Sequence, residues 1–89
     1  MKIVWDEAKR RANLKKHGLD FVDATEALAG LTLTFADNRF AYGEQRFITL
    51  GMFRNMVVVM AYTETARELR IISMRKATRY EQNIFFENL

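Results

Sequence analysis

At Leu31 the hydrophobic pattern of the chain switches from a helical period to alternation. Leu31-Thr32-Leu33-Thr34-Phe35 alternates apolar with polar and reads as a strand. Residues 36–44 contain Asp, Asn and Gly and read as a loop. Residues 45–54 alternate again. Arg46, Ile48, Leu50, Met52 and Arg54 share one face, and Phe47, Thr49 and Phe53 the other. Asn55 makes a tight turn, and residues 56–62 (MVVVMAY) are apolar on both faces, as in a central strand covered on both sides. A hairpin loop at 64–67 leads into a last strand over 69–76. Successive strands joined by short links imply an antiparallel meander.

Helical signals flank this block. Asp6 reads as an N-cap, with Glu7 in the first turn facing the positive end of the helix dipole. Ala8, Ala12 and Leu14 are the few apolar positions of segment 6–16, and Gly18 is a stop signal. Asp20 caps a second helix, in which Phe21, Ala24, Ala27 and Leu28 recur at helical spacing before Gly30. Thr78-Arg79-Tyr80-Glu81 fits a capping box opening a final helix with Ile84 and Phe85. Residues 2–5 are either a short strand or an ordered lead-in. The expected fold is therefore α+β: one domain over 1–89, with two N-terminal helices, a four-stranded, mainly antiparallel sheet and a C-terminal helix.

Composition narrows the function. The 89 residues include no cysteine and one histidine, which excludes a disulfide framework and any multi-His or Cys-based metal site. We expect neither metal nor cofactor. Fourteen Lys and Arg against eleven acidic residues leave a charge of +3 and favour an anionic partner such as nucleic acid. The N-terminus lacks the apolar run of a signal peptide, and residues 56–62 are too few to span a membrane. A cytoplasmic protein is expected.

Several residues could carry chemistry. Lys9, Arg10, Arg11, Lys15 and Lys16 spread over more than one helix face. They form either a solvated surface or a phosphate-binding footprint. Alternation places Arg70, Ile72, Met74 and Lys76 on one face of the last strand and Leu69, Ile71, Ser73 and Arg75 on the other. Arg75 then sits on a mostly apolar face and needs a carboxylate or a phosphate beside it. Glu44 and Arg46, two apart, make either a weak ion pair or a carboxylate positioning an arginine for a phosphate. His17 suits a helix C-terminus for electrostatic reasons, and histidine is also the side chain best matched to proton transfer near neutrality. Tyr80 could pack, stack on a base or share a proton. No nucleophilic triad, glycine-rich phosphate loop or paired-carboxylate motif is present. RNA suits a site built on cations, because its own 2′-hydroxyl is the nucleophile.

Val4-Trp5-Asp6, Lys9, Asn13, His17-Gly18-Leu19-Asp20-Phe21 with Ala24, and Glu44-Gln45-Arg46 followed by Gly51 resemble BrnT-type toxins. Arg70-Ile71-Ile72-Ser73-Met74-Arg75-Lys76-Ala77 with Glu81 is similar to the family's R-I-I-S-A-R-K-A segment, Met74 replacing Ala. The resemblance implies a RelE-like fold and a ribonuclease toxin of a type II toxin–antitoxin pair that stops translation, acting on RNA alone or on the ribosome. It also implies a BrnA-like antitoxin with a ribbon-helix-helix-type DNA-binding domain. His17, Glu44, Arg46, Arg75, Lys76 and Tyr80 are the expected active surface, and Lys9, Arg10, Lys15 and Lys16 the expected RNA-binding residues. In this assignment Arg46 and Arg75 grip the scissile phosphate, Lys76 neutralises a neighbouring one, and His17, Glu44 or Tyr80 moves protons. The alternatives are a non-catalytic nucleic-acid-binding module and a partner-interaction module.

Overall fold

The computed structural model describes residues 1–37 and 45–89. Strand β1 (Lys2–Trp5) leads into helix α1 (Glu7–His17), a 3-10 turn (Phe21–Asp23) and a short helix α2 (Ala24–Ala29). Strands β2 (Thr32–Asp37), β3 (Arg46–Phe53), β4 (Met56–Glu64) and β5 (Glu68–Lys76) follow, then helix α3 (Arg79–Glu87). The strands form one sheet in the order β1-β5-β4-β3-β2. The α+β class and the antiparallel β2–β5 meander agree with the sequence. β4 is central, and Val57, Val58, Val59 and Met60 are buried on its two faces.

Local chemistry sets the boundaries. The Asp6 carboxylate accepts from the Lys9 N–H at 3.0 Å, and Gly18, at φ 72°, donates its N–H to Leu14 O at 2.8 Å. Asp20 accepts from the Val22 N–H at 3.1 Å. Arg54 and Asn55, with φ of 47° and 70°, form the two-residue turn between β3 and β4, whose positive φ values match the twist of a hairpin. Thr78 and Glu81 close the capping box reciprocally.

The expected elements require correction in two places. The sheet has five strands rather than four and is mixed, because β1 pairs parallel with β5, Trp5 opposite Ile71. That pairing joins residues 2–5 to residues 68–71, and four residues are too few to carry a pattern announcing it. The helical segment after Asp20 is a 3-10 turn followed by the short α2 rather than one continuous helix, and the N-terminal α-helices remain two.

The alternation expected along β5 is corrected as well. Ala61 pairs with Ser73 but Tyr62 pairs with Ile71, so a β-bulge leaves Ile72 as the extra residue. Beyond a bulge the alternation inverts. Met74 therefore joins Leu69 and Ile71 in the core beneath α1 and α2, with Phe21, Ala24, Met60 and Tyr62. Ser73 and Arg75 face the opposite layer, where Leu50, Val57 and Val59 pack against Phe85 of α3. On the α2 side the approach is close: a Cβ on Gly51 would stand 2.7 Å from Ala27 O. A hydroxyl chain crosses that face, Thr34 to Thr49 to Tyr62, each link 2.8 Å. Among the described residues no helix is long and apolar enough to cross a membrane.

Candidate functional site

β1 ends opposite Ile71, so the rest of β5 has no strand on that side. Asn13 of α1 takes the strand's place. Its amide donates to Met74 O at 2.8 Å and accepts from the Met74 N–H at 3.1 Å. A further bond from the same nitrogen reaches Leu19 O at 3.0 Å. An amide carries both donor and acceptor, so one buried side chain satisfies both backbone groups of an edge residue. Asn13 is only 8% exposed.

This clamp holds α1 beside the bulge, and a cleft of about 330 Å³ opens between them. Lys9, Ala12 and Lys16 line it from one stripe of the helix, His17 stands at its end, and Ile72 and Ser73 form the strand wall. The two bulge residues thus both reach the cleft, which a regular strand would not allow.

Helix geometry and ion pairing sort the basic run. Lys9 and Lys16 are exposed and line the cleft, whereas Lys15 is exposed elsewhere. Arg10 donates to both oxygens of Glu7, at 2.6 and 2.8 Å, and to both of Asp20, at 3.1 and 3.0 Å. These bonds tie the start of α1 to the cap of the 3-10 turn. The Arg10 hydrogen bonds also hold the Glu7 carboxyl at a pKa of about 2. Arg11 lies 3.6 Å from Glu7 at the surface.

Arg75 shares its face with Ser73, two residues back along β5. The carboxylate that a cation there requires is Glu81. Nη1 and Nη2 of Arg75 donate to its two oxygens at 2.7 and 2.8 Å, a bidentate fork. The same carboxylate accepts from the Thr78 N–H at 2.9 Å, completing the capping box. Hydrogen bonds from Arg75, against a partial offset from burial and with help from Thr78, hold Glu81 at a pKa of about 2. Glu81 therefore stays charged and orients Arg75.

Arg46 lies on this face too. Register runs Arg46–Thr63–Arg70 in one row and Ile48–Ala61–Ser73 in the next. Strand spacing puts Arg46 roughly 12 Å from Ser73, Cα to Cα. Its Nε is shielded from solvent. α3 covers the Leu50–Val59 row, while Ile48, Ala61 and Ser73 remain half-buried. That face thus carries Arg46 and Arg75 with Glu81, and the Lys9–Lys16–His17 stripe reaches β5 at Ile72 and Ser73.

The remaining candidates fall elsewhere. Lys76 lines a different recess, beside Met52, Val57 and Phe86. Tyr80 is 75% exposed on α3 and lines neither cavity. Glu44 lies outside the described residues. Conversely, Asn13, Ser73 and Glu81 are not among the expected site residues. The signals for them are an amide inside a basic helix and a capping Glu six residues beyond an arginine. Among the described residues no three His, Asp or Glu side chains group as a metal site would require.

A cleft lined by two lysines and a histidine can hold a phosphodiester and move a proton near it. Comparison with family models matches residues 5–81 to the ribonuclease toxin BrnT of type II toxin–antitoxin systems. A search of curated proteins found no match.

Proposed function

The chain belongs to the BrnT family of type II ribonuclease toxins, and from that premise we propose that the cleft between α1 and β5 is where RNA is held and cut. The observation that carries this reading is the convergence of Lys9, Lys16 and His17 on Ser73, with Arg75 fixed on the same sheet face. Lys9 and Lys16 hold the phosphates flanking the cut and read no sequence. Arg75, and Arg46 across the open sheet, draw charge from the scissile phosphate as it becomes pentacoordinate. Glu81 sets the orientation of Arg75.

In the step itself the 2′-oxygen attacks the adjacent phosphorus and loses its proton. The bond from phosphorus to the 5′-oxygen breaks as that oxygen takes up a proton, leaving a 2′,3′-cyclic phosphate and a 5′-hydroxyl. His17 is the proton-transfer candidate that lines the cleft. The reaction needs no metal, because the nucleophile is supplied by the substrate and the charge by arginine and lysine.

In the cell, RNA cleavage in the cytoplasm would stop translation, on free RNA or at the ribosome. A BrnA-like antitoxin with a ribbon-helix-helix domain would hold the toxin inactive. The RelE-like relationship of the fold belongs to the same proposal.

The test is degradation of labelled RNA by the purified chain in excess chelator, beside Arg75→Ala and His17→Ala. Cleavage by the wild type, strongly reduced in both variants, is expected. Undiminished cleavage by both variants refutes the site. Abolition of wild-type cleavage by the chelator refutes the metal-free step.

A further inference from the structure

A second recess lies between the β3–β4 turn and α3, and its chemistry differs from that of the cleft. It also measures about 330 Å³, and the two share no lining residue among those described. Met52, Met56, Val57 and Phe86 provide apolar walls, and Lys76 and Gln82 stand beside them. Phe86 is 55% exposed and Met52 39%. The Phe86 ring packs edge-on against the buried Phe85, with centroids 5.4 Å apart, so the exposed aromatic is already fixed in place. A preorganised ring with adaptable thioethers and a polar margin has the anatomy of a protein interface. Among the described residues Lys76 is the only charged side chain lining it. One cation above an apolar wall does not suit RNA, whose backbone calls for several.

We propose that this recess seats a segment of the antitoxin, presenting an apolar side chain into the Met52–Phe86 wall beside a carboxylate that meets Lys76. Charge favours this occupant: Lys76 stands exposed at the margin of an otherwise uncharged wall, and a chain of net charge +3 attracts an acidic partner. The proposal rests on the reading of the chain as a toxin held by an antitoxin. It places that hold in a recess that shares no described lining residue with the cleft, so docking and cleavage use separate side chains.

The test is calorimetric titration of the purified toxin with the antitoxin encoded beside it. Met52→Ser and Lys76→Glu are compared with wild type, and Val22→Ser, exposed on the α1 side, is the control. Met52→Ser and Lys76→Glu are expected to weaken binding about ten-fold or more. Val22→Ser should not, and circular dichroism melts of all four should stay close together. Reversing one acidic residue of the antitoxin should recover affinity for Lys76→Glu alone. Unchanged antitoxin affinity in both Met52→Ser and Lys76→Glu overturns the proposal. So does an equal loss in Val22→Ser. A defect confined to RNA binding or to self-association in sedimentation would assign the recess to RNA or to a second copy, and equally overturns it. Cleavage of labelled RNA by wild type and Met52→Ser is read in parallel. If neither cuts RNA while Met52→Ser alone loses the antitoxin, the ribonuclease reading falls and the docking site stands.

Discussion

Replacing Asn13 with alanine should remove more stability than a side chain on a mostly polar helix suggests. The change leaves the Met74 N–H, Met74 O and Leu19 O without their side-chain partner. Each buried polar group stripped of its bond costs about 1–3 kcal/mol. Water can enter from the adjoining cleft and recover part of this, so we expect a loss of about 3 kcal/mol. Total stability for a chain this size is about 4–13 kcal/mol, so the loss is a substantial fraction. Alanine is the better helix former, which makes the sign informative: propensity alone predicts a gain. Urea denaturation gives the magnitude, and hydrogen exchange at the Met74 amide locates it. Asn13→Asp separates charge from shape. It retains an acceptor for the Met74 N–H but turns a carboxylate toward two carbonyl oxygens, so it should be at least as damaging near neutral pH. A loss below about 1 kcal/mol for Asn13→Ala, with the Met74 amide still protected, would refute the clamp.

Gly51→Ala should cost about 1–3 kcal/mol, because its Cβ would meet Ala27 O at 2.7 Å and push α2 off the sheet; thermal unfolding reads this directly. Phe85→Ala should cost about 3–5 kcal/mol in the same assay by emptying the core beneath α3. The Glu81 pKa is depressed in the fold from 4.5 to about 2, so its contribution to stability is present above pH 4.5 and is lost as pH falls toward 2. Glu81→Gln keeps the capping-box acceptor and should flatten that acid limb in urea midpoints measured against pH; an unchanged limb would exclude the Arg75 fork as its source. Lys9→Ala with Lys16→Ala should lower the salt slope of RNA binding by about 0.7 for each phosphate no longer neutralised. Arg10→Ala should instead lower the melting temperature and leave that slope unchanged, because Glu7 and Asp20 already occupy its guanidinium.

Sequence alone determined the features that depend on near neighbours. The alternating stretches located the four strands of the meander, and the doubly apolar stretch placed β4 at its centre. Asp6, Gly18 and the Thr78–Glu81 box marked helix ends, since caps are local hydrogen bonds between residues a few positions apart. Alternation placed Arg75 beside Leu69 and Ile71 and so called for an anion there; the bulge removes that premise, and the choice of Glu81 over a phosphate was not legible in the sequence either. Tertiary structure decided that choice by setting α3 against the end of β5. It also decided the β1–β5 pairing, which brings together residues more than sixty positions apart. The bulge at Ile72 reversed the alternation and moved Met74 into the core, leaving Ser73 and Arg75 together on the site face. Of the basic run, only packing could select Lys9 and Lys16 for the cleft and commit Arg10 to an ion pair. A charge pattern states how many cations a helix carries. Which of them remain available depends on the carboxylates and backbone brought to them from elsewhere in the chain.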